Sequence, residues 1–286
     1  MKTRIRAALT GGVVLAATVV LMAAGPRSWS AATEVPPAAI GALDLLLDLY
    51  VRDGFVYYAA LKLERAQLDR YLAAIAEEPV DFASWEPDAR VALWLNAYNG
   101  LVLRTVVDHY PILGQSPRYP SDSIRQVPGA FDQRRHRIVG RALTLDEIEQ
   151  TIFPQFGDPR LFLALGRGAV GSGRLRSEAY RSDRLEMQLS SVVEEFTTAP
   201  RHVLLDQIGE ALWVSAIFGW REPEFEAAYS EQGWTDSGRT AIERAILTLI
   251  VPVLFPNERE FLTENRFTLR YQEFDWRLND LTGGRP

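Results

Sequence analysis

Three glycines and a serine in one loop are the residues whose spacing first suggests chemistry. Gly166, Gly168 and Gly171 follow the pattern G-x-G-x-x-G, in which glycines let the backbone approach the pyrophosphate of a dinucleotide. Such a site also requires a helix that opens at the third glycine and an acidic residue about twenty positions later. Residues 172–182 are instead polar and irregular, which argues against a nucleotide site.

Ser172 lies between two glycines and could act as a nucleophile. The serine of a nucleophile elbow has the spacing G-x-S-x-G, but position 170 is valine. A serine nucleophile also needs a base, and the histidines His109, His136 and His202 are far apart in sequence. A hydrolase or transferase that uses Ser172 is therefore the alternative hypothesis.

The absence of cysteine excludes several kinds of site. Without a thiol the chain has no disulfide, no thiolate metal ligand, no cysteine nucleophile and no lipobox cysteine for a lipid anchor. The histidines are not paired at helical spacing, and the zinc motif H-E-x-x-H does not occur. We therefore predict that the protein uses no metal and no cofactor.

The first thirty residues have the pattern of a secretory signal peptide. Lys2, Arg4 and Arg6 precede the uncharged run 7–24, and small residues follow it. Cleavage predicts a periplasmic or extracellular protein, whereas an uncleaved segment would anchor the chain in a membrane. Removing residues 1–30 takes away four basic residues and no acid, so the net charge changes from −6 to −10. Such a surface repels nucleic acid.

A helix that is apolar on nearly every side is predicted over residues 88–109, and such a helix is buried. Asn96 and Asn99 interrupt it three positions apart and therefore lie on one side. A buried amide without a hydrogen-bond partner costs about 1–3 kcal/mol. The two asparagines are therefore either structural ties or groups that line a pocket.

The remaining patterns predict an α+β fold, a mainly helical single domain with a small antiparallel sheet or hairpins. Polar and apolar residues alternate over 131–143 as in a hairpin and over 267–271 as in a strand. Ser84 and Ser182 are expected to cap helices, and Thr144 and Glu147 have the spacing of a capping box. We place the domain at residues 43–280, after a signal peptide (1–30) and a leader (31–42), and before a tail (281–286).

Six short segments have a characteristic order and spacing. They are Asp53–Tyr58, Trp94–Asn99, Leu143–Glu149, Asp158–Arg160, Ser215–Trp220 and Phe274–Asn279. In these segments the chain resembles the bacterial domain of unknown function 547 family, over nearly everything from Leu43 to Asn279.

The chain departs from the family pattern in the glycine loop and just before it. Phe162 stands where the family has a histidine, Arg167 and Ser172 where it has cysteines, and Gly173 where it has a proline. The resemblance implies that any thiol chemistry of the family is lost here, because neither an aromatic ring nor a guanidinium can replace an imidazole or a thiolate. The additional glycines predict a more flexible loop.

We therefore expect an exported protein of this family, a non-catalytic binding or structural member and thus a pseudoenzyme. Its candidate pocket residues are Asn96, Asn99, Arg167, Ser172 and Trp276. The expected partner is a small molecule, an envelope component or a protein, with no nucleic acid, and a membrane only if the N-terminal segment is uncleaved.

Overall fold

The computed structural model describes residues 35–79, 81–234 and 238–283. The predicted signal peptide lies outside these residues. The helices are α1 Pro37–Tyr50, α2 Tyr58–Leu63, α3 Ala66–Ala74, α4 Pro87–His109, α5 Leu145–Glu147, α6 Arg160–Leu163, α7 Leu185–Thr198, α8 Ala216–Trp220, α9 Glu222–Tyr229, α10 Ala241–Ile250 and α11 Pro256–Thr263. The strands are β1 Val51–Arg52, β2 Phe55–Val56, β3 His136–Ile138, β4 Arg141–Leu143, β5 Val203–Asp206, β6 Ala211–Ser215 and β7 Thr268–Gln272.

These elements confirm the predicted fold class, mainly helical α+β. Strands β1 and β2 form one antiparallel hairpin, and β3 and β4 form another, at the predicted position. The third sheet has the order β5-β6-β7, in which β5 and β6 are antiparallel and β6 and β7 are parallel. The predicted strand at 267–271 is thus β7, and its parallel pairing could not be read from its alternation.

Helix α4 is the centre of the hydrophobic core. Almost all of its residues from Ala89 to Val107 are buried, as its apolar composition predicts. Helices α2 and α3 pack against it, and part of the predicted leader is helical because α1 begins at Pro37. In the part of the chain that the structure describes, no helix is both long and apolar enough to cross a membrane.

The helix starts confirm one predicted cap and correct two others. Thr144 and Glu147 form the predicted capping box at α5, which continues as a π-helical turn (Ile148–Ile152) and a 3-10 turn (Phe153–Phe156). Ser84 does not cap α4, whose first residue is a proline; its hydroxyl donates to a carbonyl within the preceding turn instead. Ser182 lies in a separate 3-10 turn (Ser182–Arg184) that precedes α7.

The C-terminal segment connects distant parts of the chain. The backbone of Val170 donates to Arg277, and that of Gly171 donates to Asp275, so the segment runs along the glycine loop. Further on, Asn279 accepts from the Tyr58 hydroxyl and donates to the Gly54 carbonyl. The C-terminal segment therefore holds the loop against the β1–β2 hairpin and α2.

Candidate functional site

Arg167 of the glycine loop forms a buried ion pair with Glu149. The guanidinium nitrogens Nη2 and Nε lie 2.6 and 3.1 Å from the two carboxylate oxygens, so the contact is bidentate. Only 3% of the Arg167 side chain and 14% of the Glu149 side chain are exposed. The Tyr98 hydroxyl of α4 adds a third hydrogen bond, donated to Glu149 Oε2 at 3.1 Å.

Both partners of this pair remain charged. Burial alone would raise the pKa of Glu149, but the Arg167 charge and the hydrogen bonds from Arg167 and Tyr98 outweigh burial, so the pKa lies below its usual value. Burial likewise opposes the charge of Arg167, yet Glu149 holds the arginine pKa above its usual value. The pair therefore compensates its own charge inside the protein, where a single charge would be costly.

The position that the family pattern gives to a histidine is filled by an apolar ring. Phe162 is 1% exposed and packs edge-on against Phe153, with ring centroids 6.3 Å apart. The guanidinium carbon of Arg221 lies 3.9 Å from the Phe162 ring centroid, a cation–π contact. Phe162 is thus a core residue that contacts Arg221. The positive charge of Arg221 also helps to lower the pKa of Glu149, so Phe162 is linked to the ion pair through Arg221.

Ser172 has a structural contact within the loop. Its hydroxyl oxygen accepts a hydrogen bond from the backbone N–H of Arg167 at 2.9 Å, and the residue is 4% exposed. Among the described residues, no hydrogen bond joins the Ser172 hydroxyl to an imidazole. The ring nitrogens of His109 contact Thr105 and Arg134 instead.

The loop glycines fit close packing, in contrast to the expected flexibility. The loop is almost entirely buried, and of its four glycines only Gly168 has a positive φ, of 67°. A Cβ on Gly171 would lie 2.7 Å from the backbone nitrogen of Asp275, and one on Gly173 would lie 1.7 Å from the carbonyl oxygen of Leu163. Distances this short leave no room for a side chain at either position.

Asn96 and Asn99 are both ties from α4 to other segments. Asn96 exchanges two hydrogen bonds of 2.8 Å with the backbone of Tyr180. Asn99 accepts from the N–H of Gly166 at 2.8 Å and donates to the carbonyl of Ala164 at 3.3 Å, so it anchors the start of the glycine loop. Their amide groups are thereby satisfied, as burial requires.

Trp276 lies in an aromatic cluster that we define as Tyr119, Phe131, Trp220, Phe274 and Trp276. Trp220 is 45% exposed, and the guanidinium carbon of Arg167 lies 6.0 Å from its ring centroid. Arg125 packs between Phe131 and Trp276, at 4.3 and 4.4 Å from their centroids. The cluster therefore adjoins the ion pair through Trp220.

Asp146 is a further carboxylate near the ion pair. Burial raises its pKa above the usual value, Arg125 lowers it, and the negative charge of Glu149 raises it further. A carboxyl group with this environment takes up a proton more readily than an ordinary aspartate.

The structure brings some of the candidate residues together and separates others. Asn99, Arg167 and Ser172 meet in the glycine loop, and Trp276 reaches this region through its aromatic neighbours. Asn96 instead lines a cavity of about 230 Å³, together with Tyr180 and Arg181, and neither Arg167 nor Trp276 is part of its wall. Among the described residues, no cluster of three or more histidine, aspartate or glutamate side chains could hold a metal ion.

His202 is a buried histidine whose role the sequence did not indicate. It is 1% exposed, its ring stacks on Phe196 at 4.0 Å with 2° between the planes, and its Nε2 accepts from Arg201 Nε at 3.1 Å. Burial, and secondarily the Arg201 charge, lowers its pKa to about 3. A hydrogen bond with the backbone of Ser172 acts in the opposite direction, to a smaller extent. The imidazole is therefore neutral at neutral pH.

This histidine predicts that the folded protein loses stability in mild acid. Between pH 6.5 and about pH 3 the unfolded chain binds a proton at His202 and the folded chain does not. The free energy of unfolding therefore decreases as the pH is lowered through this range. The slope from this group is at most about 1.4 kcal/mol per pH unit. Urea unfolding between pH 7 and 5 measures it. His202→Gln, which keeps an acceptor for Arg201, should reduce the slope but not abolish it, because burial also lowers the pKa of His136, to about 4. An unchanged slope in that variant would contradict the assignment.

Comparison with known proteins confirms the family resemblance over the centre of the chain. Residues 82–197 match the family model described as "Protein of unknown function, DUF547". This segment contains α4, the β3–β4 hairpin, Glu149, the glycine loop and all of α7 except its last residue. No curated protein and no solved structure matches the chain.

Sequence reasoning missed Glu149, Tyr98 and Arg221 as members of the site. Glu149 and Tyr98 lie inside the segments Leu143–Glu149 and Trp94–Asn99, which carry the resemblance. The sequence did contain a signal: Glu149 lies in a segment that matches the family, and Arg167 stands where the family has a cysteine. An arginine in a buried loop needs a carboxylate partner, and Glu149 could have been proposed for that role.

Proposed function

We propose that this chain, which carries a DUF547 domain at residues 82–197, is an exported protein that binds a ligand or partner without transforming it. The observation that carries the proposal is the buried Arg167–Glu149 pair. It occupies the position at which the family pattern has its first cysteine. A guanidinium is neither a nucleophile nor a base near neutral pH. This one binds Glu149 through Nε and Nη2 and donates from Nη1 to the carbonyls of Phe162 and Leu165.

The hydrogen bonds of Glu149 support the same conclusion, since Phe162 provides no imidazole at the family's histidine position. Loss of an imidazole alone would leave a carboxylate that could still act as a general base. Here Glu149 is bound by Arg167 and Tyr98 and has a lowered pKa, so its capacity to accept a proton is reduced. Glu149, Arg167 and Phe162 therefore offer neither a nucleophile nor an effective general base.

The serine alternative is less favoured, because its hydroxyl accepts from the backbone of its own loop and contacts no imidazole among the described residues. The nearest candidate base, His202, is stacked on Phe196 and accepts from Arg201. Its pKa of about 3 makes it a weak base.

Export is supported by the N-terminal pattern of three basic residues before the uncharged run 7–24. The mature charge of −10 that cleavage would leave favours a small molecule, an envelope component or a protein as the partner over nucleic acid. Intact mass measurement of protein recovered from the periplasmic fraction tests export, and a full-length mass in the membrane fraction would contradict cleavage.

Two measurements on the purified protein test the absence of catalysis and the presence of binding. A fluorophosphonate probe labels activated serines, and we expect no labelling of Ser172; Ser172→Ala is the matched control. Thermal melts against a panel of envelope metabolites and glycans should reveal a ligand, because binding to the folded state raises the melting temperature. Probe labelling or turnover that disappears in Ser172→Ala would overturn the proposal.

A further inference from the structure

Arg201 is a cation whose charge is not matched locally. It is exposed, its Nε donates to His202 at 3.1 Å, and within the part of the chain that the structure describes no carboxylate oxygen lies within 4 Å of its guanidinium. Arg174 lines a second cavity with Arg201, Asp53 and Glu195, and it differs from Arg201 because those two acids lie 3.2 and 3.5 Å from its guanidinium. Of these two arginines, only Arg201 has no acid partner.

His202 holds Arg201 in place without neutralising it. A neutral imidazole has one accepting nitrogen, and here Nε2 is that nitrogen because it accepts from Arg201. The imidazole itself is held by stacking on the buried ring of Phe196. The arginine is thus positioned by a rigid, uncharged group, so its Nη1 and Nη2 donors remain available to a ligand.

A cavity of about 180 Å³ lies beside Arg201. Its wall includes Val170 and Gly171 of the loop, Ser215, Phe274 and Glu273. Asp275 also lines it, and the carboxylate of Asp275 is paired with Arg277. Glu273 is exposed and, like Arg201, forms no ion pair with another described residue. One unmatched cation and one unmatched anion therefore line the same cavity, together with the apolar residues Val170, Ala216 and Phe274.

We propose that this cavity binds the carboxylate and the ammonium group of a small zwitterion, an amino acid in its free form. Arg201 binds the carboxylate through its planar donors, and Glu273 binds the ammonium. The cavity is smaller than the about 300 Å³ typical of sites for drug-sized ligands, which fits a ligand of a few heavy atoms. The inference rests on the proposed binding function and assigns it a site and a ligand class.

Titration calorimetry of the purified protein tests this site with alanine, valine and leucine in both enantiomers. N-acetylalanine lacks the ammonium, alaninamide lacks the carboxylate, and dialanine separates the two groups. We expect binding of a free amino acid, and at least about tenfold weaker binding of each blocked derivative. Binding of dialanine as strong as that of alanine would identify a peptide terminus, and not the zwitterion, as the ligand.

Three variants assign each contact. Arg201→Gln should weaken amino-acid binding at least about tenfold and remove the difference between alanine and alaninamide, whereas Glu273→Gln should remove the difference between alanine and N-acetylalanine. Arg201→Lys keeps the charge and should be intermediate. Arg141→Gln, at an exposed arginine of β4, is the matched control and should bind like the wild type. Thermal melts report whether each variant is folded.

The outcomes separate this site from the proposed function. If no free amino acid binds at millimolar concentration, or if Arg201→Gln binds it as the wild type does, the zwitterion site is wrong. A positive thermal shift with another compound would then leave the binding function standing. If instead dialanine is hydrolysed, the non-catalytic function is wrong.

Discussion

Substitution of Gly173 by alanine is expected to destabilise the protein by more than about 4 kcal/mol, which is exceptional for one methyl group. The added Cβ would lie 1.7 Å from the carbonyl oxygen of Leu163, and backbone atoms on both sides would have to move. Gly41→Ala is the matched control. It lies in α1, where a Cβ would have no neighbouring atom within 4 Å, so alanine should be neutral or stabilise the helix by up to about 1 kcal/mol.

Urea unfolding followed by circular dichroism measures both variants. Proline, which the family pattern has at this position, also carries a Cβ, so Gly173→Pro should be at least as destabilising as alanine. A loss below about 1 kcal/mol in Gly173→Ala would show that the loop can shift away from Leu163, and the close packing inferred for the loop would be wrong.

Elements that depend on local periodicity were predictable from the sequence. The buried helix α4, the β3–β4 hairpin, the capping box at Thr144 and strand β7 all follow from the spacing of apolar and polar residues within a few turns. Ser84 and Ser182 failed as caps because turns of their own precede the helices. Local hydrogen-bonding capacity does not specify which of two adjacent turns a serine joins.

Features that depend on distant residues were not predictable in the same way. The parallel pairing of β6 with β7, and the contact of Val56 with Asn279, join segments with no shared periodicity. Arg167 was predicted to line a pocket, but its buried ion pair could not be predicted, because Glu149 lies 18 residues away in sequence. The asparagines were recognised as needing partners, but the choice between ties and pocket groups required the positions of Tyr180 and Gly166.

Substitution of Arg167 by methionine should cost about 3–5 kcal/mol, because it leaves the Glu149 carboxylate buried without its partner. Glu149→Leu should cost a similar amount for the converse reason. The double variant should be more stable than either single variant, since no uncompensated charge then remains in the protein interior. Tyr98 would lose its acceptor, so Tyr98→Phe added to the double variant should restore further stability.

Equilibrium unfolding of the single and double variants gives the coupling energy directly. The exposed pair Arg137–Glu77 is the matched control, with side chains 59% and 72% exposed and a bidentate contact of similar length; Arg137→Met should change stability little. The pH dependence adds a second test. Because the pKa of Glu149 is lowered in the folded protein, its stabilising contribution is present above the usual glutamate pKa and is lost as the pH falls through the lowered value. The double variant lacks this contribution, so its free energy of unfolding should fall less steeply below pH 4.5 than that of the wild type. A coupling energy near zero between Arg167 and Glu149 would mean that the pair does not act as a unit.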